Sequence, residues 1–224
     1  MKILITFRKS ESARWLGHLD ILRTFERAIR RAELPIAFSS GFNPRERIAF
    51  ASALSVGVTG DAELATLEFA ESVEPDVVVA RLNSKLPPGI QLTAAEEIPE
   101  AGSRDLLNSF DRADLLVICA CPAETRLDSV AKSARRLLEK PSLRIQRERE
   151  GKTKEVDIRP LIHDIEGESI EGERAIIHLV LALGTDGTAK PQEIISLLAE
   201  DVPGLEVRRI HRSRLLPRAD APEK

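Results

Sequence analysis

The first fifty residues hold the densest set of side chains that could bind an anion. A guanidinium group forms charge-assisted and often bidentate hydrogen bonds with phosphate, and the N-terminus of a helix adds unpaired N–H groups. Basic and polar side chains lie within and on both sides of one segment with the pattern of an amphipathic helix. They predict a surface that binds RNA phosphates. The alternative is that exposed arginines only keep a helix face solvated. The set comprises Arg14, His18, Arg23, Arg27, Asn43, Arg45 and Arg47.

Like charges repeat at helical spacing within this set. Arg23 and Arg27 are four residues apart, as are Arg27 and Arg31. Such pairs destabilise a helix by about 0.2–0.5 kcal/mol each, so we expect the protein to use or tolerate them. Glu26 can offset part of the charge by pairing with Arg23 or Arg30.

His18 is the one candidate for acid–base chemistry in this region. Asp20, two residues further on, points away from it on a helix, so the two do not form a dyad. A phosphate-contacting or structural histidine is therefore the main interpretation. The catalytic alternative is a metal-independent RNA endonuclease that uses His18.

The net charge conceals a strong charge pattern. The chain of 224 residues has 33 basic and 36 acidic side chains and a formal net charge of −3. Residues 1–50 nevertheless carry +5 and residues 51–100 carry −7, and the pattern recurs with +5 over 132–160 and −7 over 161–204. The last block, 205–224, carries +3 and supplies Arg209 and Arg212, which together with Arg159 are the further predicted contacts for an anion or RNA. An anionic partner is therefore compatible with the net charge.

Cysteine usage and hydropathy exclude several classes of protein. Cys119 and Cys121 are the two cysteines, too few for a disulfide framework or for an iron–sulfur cluster held by this chain alone. They lie on one face of a predicted strand and are interpreted as small buried hydrophobic residues. No metal-ligand spacing or P-loop appears, so no metal and no cofactor is predicted. The absence of an apolar run of about 18 residues and of a secretory leader predicts a cytoplasmic protein with no membrane partner.

The helices and strands that must position these side chains are predicted in a similar order in both halves of the chain. In the first half the pattern is strand (2–8), helix (18–33), two extended pieces, helix from Pro75 and strand (90–98). The second half has a strand (114–121), a helix (124–139), a hairpin near Gly151, a strand (174–183), a helix from Pro191 and a last strand. These orders predict an α+β protein with two tandem ferredoxin-like (β-α-β-β-α-β) sandwich domains. The predicted boundaries are a first domain at 1–100, a linker at 101–112, a second domain at 113–217 and a disordered tail at 218–224.

The segment ARWLGHLDILRTFERAIRRAELPIAFSSGFNPRERIAFASALSVGV resembles the opening of an uncharacterised bacterial family linked to radical SAM proteins. The family is encoded beside, or fused to, cobalamin-binding-type radical SAM proteins. KEVDIRPLI and HRSRLL, later in the chain, fit the same family. Arg45 departs from it, because members often carry His after the Pro. The matching positions are His18, Leu19, Asp20, Arg23, Gly41, Phe42, Asn43, Pro44, Gly57, Asp157, Ile158, Arg159 and Pro160.

This resemblance implies a partner more than an activity. It implies a radical SAM protein as partner, and the neighbouring genes, for ribonucleases and ribosomal proteins, imply an RNA setting. We therefore expect a non-catalytic RNA-binding or substrate-presenting protein, with no specificity for DNA. Tandem ferredoxin-like domains also occur in RNA-processing proteins such as the CRISPR repeat-cleaving family, an analogy of fold only. The alternatives are the endonuclease above and a scaffold that binds protein only.

Overall fold

The computed structural model describes residues 1–99, 103–149, 151–184 and 187–218. Helices and antiparallel strands are mixed along the chain, which confirms the α+β class. The chain separates into two compact units, Met1–Phe110 with the residues from Pro217 onward, and Asp111–Leu216. Residues 219–224, most of the predicted tail, and residues 101–102 of the predicted linker lie outside the described residues. Within the described ranges, no helix is both long and apolar enough to cross a membrane.

The first unit is a small antiparallel sheet with helices on it. Its elements are β1 (Lys2–Lys9), α1 (His18–Arg31), β2 (Ile48–Phe50), β3 (Val58–Glu68), α2 (Pro75–Asn83), β4 (Ile90–Ile98) and α3 (Ser103–Asn108). The strand β1 pairs with both β3 and β4, and β2 pairs with β3, all antiparallel. Alternation along β1 places Ile3, Ile5 and Phe7 in the core, each at most 2% exposed. On α1, Ile21, Phe25 and Ile29 face that core.

The helix α1 ends in a Schellman motif whose left-handed residue is a glutamate. Leu34 donates its N–H to the carbonyl of Ile29 at 3.3 Å, and Glu33 donates its N–H to that of Arg30 at 3.2 Å. Glu33 has φ of 50°, in the region that glycine usually occupies at this position. Pro35 follows directly, so the chain leaves the helix here as the sequence predicts.

The segment 101–112, predicted as a linker, contains a helix. Its Leu107 is buried in a small apolar cluster with Leu4 and Ile98, on the strand face that does not meet α1. The helix α3 is therefore packed against the first unit, where the sequence predicts only a connection.

The second unit also consists of a sheet with helices, and it has an additional hairpin. Its elements are β5 (Phe110–Ala120), α4 (Leu127–Glu139), β6 (Arg144–Arg149), β7 (Lys152–Asp157), β8 (Ile162–Glu171), β9 (Arg174–Ala182), α5 (Pro191–Ala199) and β10 (Glu206–Pro217). The main strands lie in the order β10-β5-β9-β8, and β6 and β7 form a separate two-stranded sheet. Cys119 and Cys121 are buried free thiols, as predicted.

One strand of this sheet is absent from the sequence prediction. The predicted hairpin near Gly151 forms, but it does not join the main sheet, and β8 takes that place beside β9. The segment IHDIEGESIE has few apolar residues and a glycine at its centre, so its pattern does not stand out as a strand. Its Gly167 allows α4 to pack closely, because a Cβ there would lie 2.9 Å from a methyl group of Leu127, which would have to move.

Candidate nucleic-acid interface

The segment between β1 and α1 presents an exposed tryptophan. Trp15 is 65% exposed, and the guanidinium carbon of Arg14 lies 4.3 Å from its ring centroid. Arg14 also donates from Nη1 to Oε1 of Glu11 at 2.5 Å. Such a cation–π contact stabilises an exposed pair by about 0.5–1 kcal/mol. Arg14, predicted to contact phosphate, therefore contacts Glu11 and the indole of Trp15.

A fully buried lysine holds the backbone around Trp15. Lys9 is 0% exposed at the end of β1. Its Nζ donates to the carbonyl of Leu16 at 2.8 Å and to that of Ser55 at 3.3 Å. The N–H of Gly57 donates to the carbonyl of Arg14 at 2.8 Å. These bonds join the segment that carries Trp15 to the loop before β3. The backbone that carries the exposed indole is therefore held in place.

The exposed side of α1 continues from this tryptophan as one row. Leu19 is 63% exposed, and Arg23 and Arg27 follow at successive intervals of four residues. Residues four apart lie on the same face of a helix. Among the described residues, neither guanidinium has a hydrogen-bond or ion-pair partner, so both positive charges face solvent. Glu26, expected to offset them, forms no ion pair with a described residue.

The two arginines in the last turn of α1, in contrast, bond to other parts of the protein. Arg30 donates from Nε to Oε1 of Glu46 at 2.7 Å, and Arg31 donates to the carbonyl of Lys85 at 2.7 Å. The like-charge row is therefore reduced to its first two members. Arg23 and Arg27 remain available to a ligand.

The start of α1 carries its own carboxylate. Oδ2 of Asp20 accepts the N–H of Gly17 at 3.0 Å, and a negative side chain in the first turn already satisfies the helix dipole. The half-buried His18 lies edge-on to Phe50, with ring centroids 5.3 Å apart. No other ring contact or hydrogen bond ties its imidazole to a described residue. Among the described residues, the contact recorded for the His18 ring is therefore the one with Phe50.

The loop after α1 is a short, exposed hairpin. Phe38 and Glu46 form an isolated antiparallel bridge, and Ser39 and Arg45 bond backbone to backbone at 2.8 Å. At its tip Gly41 has φ of 127°, and the Phe42 side chain is fully exposed. Because Glu46 at the hairpin's base pairs with Arg30, the hairpin is tied to α1.

The hairpin residues that are predicted to contact an anion differ in their own contacts within the protein. Asn43 and the Arg45 side chain are exposed and, among the described residues, bond to no other side chain. Arg47 is engaged, since its Nη1 lies 3.4 Å from Oε2 of Glu68. The structure therefore brings Trp15, the Arg23–Arg27 row and the hairpin together on one unit; we name this set the α1 surface.

The predicted basic residues of the second unit are placed differently. The guanidinium of Arg159 donates to the carbonyl of Leu138 at 2.6 and 3.0 Å and to that of Ile162 at 2.9 Å. Arg212 is 3% exposed, and Arg209 is partly buried. Arg159 thus fixes the end of α4 to the start of β8, and Arg212 is buried within the fold.

The second basic block, residues 132–160, is partly neutralised by ion pairs with carboxylates outside it. Arg147 on β6 donates from Nε and Nη2 to the two carboxylate oxygens of Glu193 on α5, at 2.8 and 2.7 Å. Arg136 pairs with Asp201 at 3.0 Å. The block's formal +5 therefore overstates the charge it offers to a ligand.

Two contributors to the α1 surface were not predicted as site residues. Leu19 belongs to the amphipathic helix pattern, which more often indicates a core residue, and Trp15 lies in the polar loop before that helix. Exposure on the folded chain distinguishes them from core residues. A lysine at the end of a strand also gives no signal of burial, so the role of Lys9 was undetectable.

The fold and this surface define an α+β protein with a basic, partly aromatic face on its first unit. The chain belongs to the family described as "Uncharacterized protein conserved in bacteria (DUF2344)", whose model matches residues 2–191. No curated protein matches the sequence.

Solved structures share the fold at low identity. A Cbf5-Nop10-Gar1 complex matches with a TM-score of 0.57 and 10% identity, over 95% of this chain and 48% of the other. An H/ACA RNP bound to a substrate RNA containing 2'-deoxyuridine matches with a TM-score of 0.53 and 12% identity, over 95% of this chain and 47% of the other. The chain thus spans about half the length of the chains it matches.

Proposed function

We propose that this protein binds single-stranded RNA through the α1 surface. The observation that carries the proposal is the Arg23–Arg27 row, two guanidinium groups without partners among the described residues, beside an exposed Trp15. A like-charge pair at this spacing destabilises the helix unless an anion neutralises it. A row of phosphates supplies such an anion.

The aromatic side chains favour a single strand over a duplex. Trp15 precedes α1 and Phe42 lies at the tip of the hairpin that follows it, and both side chains are exposed. Unpaired bases stack on aromatic rings, whereas the bases of an RNA duplex are already stacked and shielded. Asn43 and Arg45 on the hairpin tip, with His18 and Arg47 nearer the sheet, are the remaining proposed contacts. Arg14 acts by supporting Trp15.

The structural comparisons are compatible with this proposal. One of the matching structures is an H/ACA RNP bound to a substrate RNA containing 2'-deoxyuridine. At 10–12% identity the likeness concerns the fold alone. The support for RNA therefore comes chiefly from the α1 surface.

The finer fold assignment, two tandem ferredoxin-like domains, is proposed on strand order. The first unit has the order β4-β1-β3-β2, and the second has the corresponding order β10-β5-β9-β8. Each matches the order expected of a β-α-β-β-α-β sandwich. The boundaries at 1–100 and 113–217 stay a prediction.

A non-catalytic role beside a radical SAM protein is the further part of the proposal. It rests on the resemblance of the HLD helix and the GFNP loop to the radical-SAM-associated family. In this role the partner carries the cluster, because a cluster requires three or four thiolates and this chain has two cysteines, both buried. We propose a cytoplasmic location for the pair.

The test is fluorescence anisotropy of a labelled single-stranded RNA, titrated with the full chain at several salt concentrations. We expect binding that weakens with salt, and a smaller salt slope for Arg23→Ala/Arg27→Ala, by about 0.7 for each phosphate that the variant no longer neutralises. Arg81→Ala is the matched control, because Arg81 is an exposed arginine on α2. It should bind like the wild type.

Other outcomes decide between the alternatives. No binding at low salt overturns the RNA proposal, and co-purification with the radical SAM protein from nuclease-treated extract then favours a protein-only scaffold. RNA cleavage that is lost in His18→Ala overturns the non-catalytic part and favours the endonuclease. Equal binding of the double variant and the wild type removes α1 from the interface.

A further inference from the structure

A second group of side chains converges on the sheet of the second unit, apart from the residues used above. His178 on β9 lies directly opposite Glu166 on β8, and Asp164 on β8 lies opposite the neighbouring Val180. One potential ligand atom from each of Asp164, Glu166 and His178 lies within 4.8 Å of the other two. The strand register thus brings two carboxylates and one imidazole to one place.

The burial of these residues suits a site reached from solvent. Asp164 and His178 are half-buried, whereas Glu166 is exposed. Glu166 and His178 line a surface depression of about 420 Å³ together with Asp114, Leu116, Glu168 and Ser213. This volume admits an ion with several waters, since each water takes up about 30 Å³.

A buried carboxylate orients the imidazole from the opposite side of β9. Asp114 on β5 is 8% exposed, and its Oδ1 lies 2.5 Å from Nε2 of His178. Its other oxygen, Oδ2, accepts a hydrogen bond from Nε of Arg214 at 3.1 Å. Because Nε2 is engaged by Asp114, Nδ1 is the nitrogen left for another ligand. Histidines that bind metals commonly donate the second ring N–H to a carboxylate, which fixes the ring and its tautomer.

We propose that Asp164, Glu166 and Nδ1 of His178 bind a divalent transition-metal cation of the zinc type, with Asp114 as the orienting carboxylate. Imidazole together with carboxylates favours Zn²⁺ over Mg²⁺ or Ca²⁺, which prefer ligand sets made of oxygen alone. Ligand atoms on a tetrahedral zinc ion are about 3.3 Å apart, given bonds of about 2.0–2.1 Å. The ligand atoms lie within 4.8 Å of one another, so binding of the ion requires the exposed Glu166 side chain to move closer to the other two ligands.

The site leaves at least one coordination position to solvent. Three protein ligands around a zinc ion leave the fourth position to water or to a ligand oxygen. The site is independent of the RNA proposal, because none of its residues belongs to the α1 surface.

The test is isothermal titration calorimetry of the full chain with ZnCl₂, with MgCl₂ and CaCl₂ as parallel titrations. We expect one Zn²⁺ per chain, and much weaker binding of Mg²⁺ and Ca²⁺. His178→Ala and the pair Asp164→Asn/Glu166→Gln should each lower Zn²⁺ affinity by more than about 100-fold, and Asp114→Asn by about 10- to 100-fold. Glu168→Gln is the matched control, since Glu168 is an exposed carboxylate in the same depression, and should leave the affinity unchanged.

A second readout identifies the ligand set. Co²⁺ in the same site should give visible absorption bands that disappear in His178→Ala, while circular dichroism verifies that each variant is folded. The proposal is overturned if Zn²⁺ does not bind, if His178→Ala binds it like the wild type, or if Mg²⁺ binds as tightly as Zn²⁺. The last result would indicate a diffuse acidic surface.

Discussion

The guanidinium carbon of Arg14 lies 4.3 Å from the ring centroid of its neighbour Trp15, whose indole is 65% exposed. A cation that stacks on a large exposed aromatic side chain restricts the rotation of that side chain. The conformational entropy lost when the ring binds a ligand is therefore smaller. Lys9 fixes the backbone beneath it through the carbonyls of Leu16 and Ser55. Trp15 is therefore presented to solvent in a defined position.

Trp15 should report directly on the binding of single-stranded RNA. It is the one tryptophan in a chain without tyrosine, so the protein's indole emission comes from this residue alone. Titration with a single-stranded oligonucleotide should change that emission, because a base stacks on the ring. Trp15→Ala should weaken binding by roughly tenfold, consistent with the ~1–3 kcal/mol of base stacking, and Trp15→Phe should weaken it less. Unchanged emission at saturating RNA would place the strand elsewhere.

Glu33→Gly should stabilise the protein. Glu33 occupies the left-handed position of the Schellman motif that ends α1, with φ of 50°. A side chain at such a position costs about 1 kcal/mol, which glycine avoids. We expect the free energy of unfolding to rise by about 0.5–1 kcal/mol in urea titrations. Glu33→Ala is the control, because alanine removes the carboxylate but keeps the strain; an equal gain in both variants would contradict the explanation.

The elements of the fold were largely predictable, and the reasons are local. Amphipathic spacing and prolines predict α1, α2, α4 and α5 because each buries one apolar stripe and most begin or end at a proline. The strand β8 is not predicted from the sequence, because apolar and polar residues do not alternate clearly in IHDIEGESIE. Its place in the sheet is specified by pairing with β9, a contact that the sequence pattern does not encode.

The candidate sites were predictable only in part, because charge pairing is decided in three dimensions. The sequence predicts a basic first helix, and Arg23 and Arg27 on that helix are exposed. It does not predict that Arg30 meets Glu46, sixteen residues away, or that Arg147 meets Glu193 across the second unit. The position of His178 in an apolar strand is typical of a core or interface residue, whereas the structure places its Nε2 2.5 Å from Oδ1 of Asp114. These pairings depend on strand register and helix packing.

The two cysteines should resist alkylation in the folded protein. Burial raises the pKa of the Cys119 thiol to about 12, and the neighbouring Cys121 adds to the shift. Since the thiolate is the reactive form, almost none is present at pH 8. Mass spectrometry after iodoacetamide treatment should find both thiols free in the folded protein and alkylated in guanidinium chloride. Phe42→Cys provides an exposed thiol for comparison, and alkylation of Cys119 at the rate of that thiol would contradict its burial.

The bidentate pair of Arg147 and Glu193 should make stability depend on pH in the acid range. Burial alone would raise the pKa of Glu193, but hydrogen bonds from Arg147 and from the N–H of Lys190 outweigh it, so the pKa lies below its usual value. A carboxyl group with a lowered pKa stabilises the folded state above its unfolded pKa, about 4.3, and this stabilisation disappears as the pH falls through the folded pKa.

Removal of either partner should weaken the attachment of the β6–β7 hairpin to α5. We expect Arg147→Ala to lower the free energy of unfolding by roughly 1.5–3 kcal/mol at pH 7, the range for hydrogen bonds to a charged group, and to flatten the decline in stability below pH 5. Urea titrations at several pH values measure both effects. Arg144→Ala is the control, because Arg144 on the same strand pairs with Glu155 at 2.9 Å in an exposed ion pair that should contribute little. Equal losses in the two variants would mean that the hairpin is not held through Glu193.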